Sequence, residues 1–276
     1  MVFMVAVINL DGTKAGDAEL PQQFHEAVRG DLIMRAVLAE RSEKLQPKGA
    51  DPLAGMKTTA EYYGRRGAQY RQSINTGRAR LPREKLAEGR LGRVRMIPSS
   101  VKGRRAHPPK PWKKIVEHIN SKESMKAVRS AIAATASGEL VRLRGHRFEG
   151  SFPVILSNDF ESLKKTKDVE KVLSTLKMHA DVERATSGRK KRTGIAGRRR
   201  GGYRVPKSIL FVVNEDRGIS KAARNIPGAD VANVRSLRVE LLAPGGAPGR
   251  LTVWSEGAVK ALGSEKLYYA KEPDES

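Results

Sequence analysis

The run SILFVV, residues 208–213, points to the architecture. After Ser208 every residue is apolar, with no polar alternation to supply a wet face. Such a run predicts a strand buried on both sides, as in a parallel sheet covered by helices. Outward from it, SKAARNI (220–226) reads as a helix, ADVANV (229–234) as a short strand, RLTVWS (250–255) as a strand and EGAVKALG (256–263) as a final helix. Toward the N-terminus, FPVILS (152–157) predicts a strand and DVEKVLSTLKM (168–178) the helix after it. HADVERA (179–185) reads as a further strand.

The first third continues the alternation. VFMVAVINL (2–10) predicts a buried strand ended by the turn signal DGT. DLIMRAVLAERSE (31–43) places Leu32, Ile33, Ala36, Val37 and Leu38 near one helical face, with Asp31 as N-cap. KESMKAVRSAIAATASG (122–138) is a second helix, capped by Ser121, striped by Met125, Val128, Ala131 and Ile132, and ended by Gly138. Short apolar strands alternating with helices predict an α/β fold with a mostly parallel central sheet.

The charge divides the chain differently. The 276 residues carry a formal net charge of +23, far beyond what a small-molecule enzyme needs. Lys57 to Lys114 hold 17 basic and 3 acidic residues; Arg184 to Lys207 hold 10 basic residues and no acid. Of the 53 basic and 30 acidic residues, the other 194 positions keep 26 and 27. The sequence thus describes one near-neutral α/β domain over 1–276, interrupted by a basic extended loop, 46–114, and a second basic loop, 184–207.

The long insertion has no core of its own. Its larger apolar residues are scattered, LPREKLAEGRL (81–91) reads as at most a short helix, and Pro98, Pro108, Pro109 and Pro111 stiffen its return. Ordering 58 residues costs roughly 60–115 kcal/mol of backbone entropy, and a dense polyanion offsets that through phosphate contacts and counterion release. Out and back, the segment reaches up to about 95 Å, against a radius of gyration of about 16 Å for a 194-residue body. That reach suits entry into a large folded RNA. Four of the six tyrosines (Tyr62, Tyr63, Tyr70 and Tyr203) lie in the basic insertions, where they can stack on unpaired bases. A charge run is most often solvated surface, but an internal, nearly acid-free and duplicated one points to a polyanionic partner.

Other chemistries find no support. The chain has no cysteine, which excludes disulfides and thiolate metal sites and fits a reducing compartment. His25, His107, His118, His146 and His179 lack metal-ligand spacing; most read as surface or capping groups, and His107 lies in the basic arm. LAPGGAPGR (242–250) precedes a strand and lacks the Lys-Ser/Thr pair of a phosphate loop, so it reads as a structural turn. No GxGxxG follows the first strand. No signal peptide or run of about 18 apolar residues is present, so the expectation is a soluble cytoplasmic protein with no catalytic residues, no metal, no cofactor and no membrane partner.

Seven blocks together resemble one family. DLIMRAV (31–37), TAEYYGRRG (59–67), VKGRRAHPPK (101–110), AVRSAIAATA (127–136), SILFVVNED (208–216), AARNIPGADV (222–231) and LAPGGAPGRLTVWSEGA (242–258) are similar, in the same order, to the archaeal branch of universal large-subunit ribosomal protein four. The resemblance implies a three-layer α/β domain on large-subunit rRNA, beside neighbouring ribosomal proteins. It also implies an extended loop whose tip helps line the exit tunnel and meets the nascent polypeptide. The tip would comprise Gly64, Arg65, Arg66, Gly67, Gln69, Tyr70 and Arg71. Charge and resemblance together nominate as rRNA contacts Arg65, Arg66, Arg71, Arg78 and Arg80 in the tip and its return, and Lys102, Arg104, Arg105, His107 and Lys110 at the loop base. In the second loop they nominate Arg189, Lys190, Lys191, Arg192, Arg198, Arg199, Arg200 and Arg204.

Two other classes compete with this reading. An α/β nucleic-acid-modifying enzyme with basic RNA-binding arms would need a catalytic pocket and a bound cofactor. A chromatin or mobile DNA-binding protein would need a reading helix or ribbon, and no familiar DNA-binding motif is present.

Overall fold

The computed structural model describes residues 4–62, 75–148, 150–199 and 201–269. The chain divides into two compact units, one of Met1–Lys44 with Val116–Ser276, the other Leu45–Ile115.

In the larger unit the chain begins with β1 (Met4–Ile8), β2 (Lys14–Glu19) and α1 (Gly30–Glu43). The second unit holds β3 (Arg83–Lys85) and β4 (Leu91–Val94). The larger unit resumes with α2 (Ser121–Ala136), α3 (Gly138–Leu143), β5 (Val154–Leu156), α4 (Thr166–Thr175) and α5 (His179–Ser187). The second basic loop contains β6 (Lys190–Lys191), α6 (Gly194–Arg199) and β7 (Tyr203–Arg204). Then come β8 (Leu210–Val213), α7 (Ile219–Ala223), β9 (Asp230–Asn233), α8 (Val239–Leu242), β10 (Thr252–Ser255) and α9 (Glu256–Ser264).

The central sheet has the order β2-β1-β5-β10-β8-β9. Every pairing is parallel except that of β1 with the edge strand β2. The apolar run at 208–213 becomes β8, second from the edge, and both its faces are buried. Leu210 and Val212 join Ile155 and Trp254 in a cluster with α1 and α2, while Phe211 and Val213 join Val154 and Val253 in another with α4 and α5. Two-sided burial is the reason the run carries no polar alternation.

Several local expectations are corrected. The polar segment Lys14–Glu19 is a strand, since an edge strand with one solvated face needs little apolar content. Asp31 lies inside the first turn of α1 and pairs with Arg29, which holds the cap position. Ser121 is the first residue of α2, after Asn120 at the cap position. Gly138 opens α3 instead of closing α2; a Cβ there would stand 2.9 Å from the Phe152 ring, so close packing selects the glycine. HADVERA is helical, not a strand: Asp181, Val182 and Ala185 are buried at helical spacing. LPREKLAEGRL forms the antiparallel pair β3–β4, not a helix, and turns through Glu88 at φ 55°.

In the second unit, Glu61 bridges to Arg83, extending the β3–β4 pair. Its three acids within 57–114 all pair internally: Glu61 with Lys85 (2.7 Å), Glu84 with Arg95 (3.0 Å) and Glu88 with Arg90 (3.3 Å). Among the described residues no helix is long and apolar enough to cross a membrane.

Candidate nucleic-acid interface

The loop base, residues 96–105, is a tight reversal. Met96 and Lys102 adopt positive φ (75° and 62°), and the backbone closes through Ser100 N to Ile97 O (3.2 Å) and Gly103 N to Ser100 O (3.0 Å). A chain folded so closely on itself turns its long side chains outward. Lys102, Arg104, Arg105, His107 and Lys110 are all exposed, as are Arg78 and Arg80. None of these makes an ion pair among the described residues, because the local acids are already engaged. Trp112 is 70% exposed with the Lys110 ammonium 5.7 Å from its ring centroid. An exposed indole among lysines offers a stacking face for an unpaired base. The sequence signal was its setting, KPWKK (110–114), an aromatic among three lysines and a proline.

The second loop is a short ribbon. Lys190 pairs with Arg204 and Lys191 with Tyr203, and all four side chains are exposed. Arg189 covers one face of the Tyr203 ring at 4.0 Å, while Arg192 turns its Nε to the Tyr203 carbonyl (3.0 Å). Arg192 thereby fixes the ribbon, and Lys190, Lys191 and Arg204 present its charge. Arg198 is exposed on α6, and Arg199 closes that helix. Gly64, Arg65, Arg66, Gly67, Gln69, Tyr70 and Arg71, expected at the loop tip, lie outside the described residues, as does Arg200.

The roots of this loop are held by buried polar groups that sequence reading did not find. His146, expected among surface or capping groups, is buried and its Nδ1 lies 3.0 Å from Asp181 Oδ2. Burial holds the imidazole below its ordinary value, so it is neutral at pH 7 and donates Nδ1–H to the carboxylate. Burial alone would raise Asp181. Hydrogen bonds from His146 and Arg184, with the Arg147 backbone N–H, outweigh that and hold its pKa at about 2. Arg184 then reaches across to the Lys207 carbonyl (2.8 Å), joining the two ends of the loop. Lys207 pairs with Asp230 at 2.8 Å. The glycine-rich segment 242–250 is a structural turn whose Pro244 and Ala247 carbonyls accept from Arg144. Among the described residues no group of His, Asp and Glu side chains could hold a metal ion.

A parallel α/β sheet whose cation-rich loops are nearly free of acids defines a class, the proteins that hold a polyanion by charge and shape. The Ribosomal protein L4/L1 family matches residues 18–265, and the chain belongs to it. It is 49% identical over 257 residues to large ribosomal subunit protein uL4 of Archaeoglobus fulgidus, covering 93% of this chain and 97% of that one. To the proteins of the same name from Halobacterium salinarum and Methanocaldococcus jannaschii it is 47% and 46% identical, over 94% and 93% of this chain and 99% and 96% of theirs.

Proposed function

We infer that the chain is a structural, non-enzymatic constituent of the large ribosomal subunit in the cytoplasm, bound to large-subunit rRNA and to neighbouring ribosomal proteins. The observation that carries this is the near full-length match to relatives named large ribosomal subunit protein uL4. The absence of acids from the second basic loop, and their internal pairing in the first, gives the physical reason. Exposed, unpaired cations at this density repel one another, and a phosphate backbone neutralises that repulsion.

On the same reading the α/β unit is a three-layer anchor. Arg78, Arg80, Lys102, Arg104, Arg105, His107 and Lys110, with the exposed cations of the β6–β7 ribbon, contact rRNA. The segment from Gly64 to Arg71 lines the exit tunnel and meets the nascent polypeptide, and no membrane is involved. Sedimentation of large subunits from the source cell, with mass spectrometry of the peak, tests the assignment. The chain should co-sediment near one copy per subunit and leave only with the rRNA. Its absence from that peak would overturn the assignment in favour of an enzyme or DNA-binding role.

A further inference from the structure

The segment VRLRGHRF, 141–148, carries three arginines outside both basic loops. Arg144 is consumed by packing, through the Pro244 and Ala247 carbonyls. Arg142 and Arg147 instead line a cleft of about 1100 Å³, which Lys177 borders from the turn between α4 and α5. All three are exposed and make no ion pair among the described residues. The described lining contains no carboxylate. Beneath the cations the wall is apolar, with Phe148, Val154 and Met178 buried. His146 also lines the cleft. Because its Nδ1–H is given to Asp181, the neutral ring keeps its lone pair on Nε2, which accepts a hydrogen bond.

A cationic rim over an apolar, aromatic floor with one fixed acceptor complements a particular ligand chemistry. The ligand needs a flat apolar face, a negative charge beside it and an N–H or O–H donor. We propose that this cleft accepts an unpaired rRNA nucleotide, with its base against the half-buried Leu176 and the edge of Phe148 and its flanking phosphates among Arg142, Arg147 and Lys177. Unpaired, splayed bases are the usual target of RNA recognition by proteins. His146 serves as the acceptor for an exocyclic amine or a 2′-hydroxyl. This site rests on the rRNA-binding reading and adds to it a base-holding contact on the α/β unit, independent of the two basic loops.

The test uses the full chain and protein-free large-subunit rRNA, with affinity measured against salt. The triple variant R142A/R147A/K177A removes three exposed side chains and no internal ion pair. It should bind roughly tenfold or more weakly and lower the slope of log K against log salt by about 1–3, at ~0.7–0.9 per phosphate. The variant Ala180→Trp, on the exposed rim, fills the cleft without changing charge. It should lose roughly tenfold, the scale of one base stacked on a side chain, with an unchanged slope. Ultraviolet cross-linking of intact subunits should leave a nucleotide adduct on residues 145–151. Parent-like binding by both cleft variants, while K190A/K191A is weakened, overturns the cleft and spares the rRNA reading. Failure of the parent chain itself to bind the rRNA in a salt-dependent way overturns both. An acidic peptide cross-linked at 145–151 in place of a nucleotide would also overturn the proposal.

Discussion

Arg250, fully buried just before β10, donates through Nη2 to Oδ2 of Asp230 at 2.6 Å. The same guanidinium reaches the carbonyls of Ser208 (2.9 Å), Leu241 (2.8 Å) and Gly228 (3.1 Å). One side chain thus ties together the starts of β8 and β9 and the segment before β10, where the second basic loop returns to the sheet. Asp230 also receives Lys207, so the carboxylate faces two cations, and although burial opposes it, they hold its pKa below the ordinary value.

Replacing Arg250 by methionine should cost several kcal/mol, because the carbonyls of Ser208, Leu241 and Gly228 lose their donor at about 1–3 kcal/mol for a buried group left unsatisfied, while Lys207 still covers Asp230. Arg250→Lys should recover little, since an ammonium cannot reach carbonyls fanned so widely. Urea unfolding of the full chain reads both. A midpoint within error of the parent for Arg250→Met would show that the pair contributes nothing net.

Asp181 gives a pH signature. Its folded pKa of about 2 lies below the unfolded value near 3.9, so its contribution is complete above that unfolded value. The contribution is lost as pH falls from about 4 toward 2, and amounts to about 2–3 kcal/mol. Asp181→Asn should be less stable at pH 7 and should flatten the acid limb of stability against pH. An acid limb as steep as the parent's would assign that loss to other carboxylates.

Gly228 has φ +75°, and a Cβ there would lie 2.2 Å from the Pro206 carbonyl oxygen and 2.8 Å from Ser208 N. Neither backbone atom can yield without opening the Ser208 N to Gly228 O bond (2.9 Å). Gly228→Ala should destabilise the α/β unit by more than about 1 kcal/mol, from the positive φ alone. Calorimetry of the full chain should show a fall in Tm of several degrees; an unchanged Tm would contradict the close approach.

The ribbon's exposed cations should act mainly through phosphates. Alanine at Lys190, Lys191 and Arg204 should lower the salt slope of rRNA binding by about 2–3 if all three reach phosphates. Circular dichroism should be unchanged, because none of them holds the ribbon closed. An unchanged slope would place them toward solvent or protein.

Deleting Arg66 to Asn75 removes two of the 17 basic residues of the long insertion. At about 1.5–3 kcal/mol per charged hydrogen bond, that is a small part of a many-contact interface. Subunits should still incorporate the shortened chain, while stalling by nascent peptides and access of macrolides should change. Failure to incorporate would make the tip an anchor.

The apolar strands, the amphipathic helices and the two acid-poor loops were legible in the chain before any fold was known. Each of these is written in adjacent residues, as a period or a local charge count, and SILFVV could be placed inside a covered sheet from its missing alternation alone. Tertiary structure decided what depends on distant partners. Lys14–Glu19 is a strand because β1 offers it an edge, and HADVERA is a helix because the sheet face supplies burial at every turn. His146 and Asp181 stand 35 residues apart, and Arg250 and Asp230 stand 20 apart. No local pattern brings such pairs together, and only folding removes the water that would otherwise satisfy these groups, which makes their hydrogen bonds costly to leave unmade.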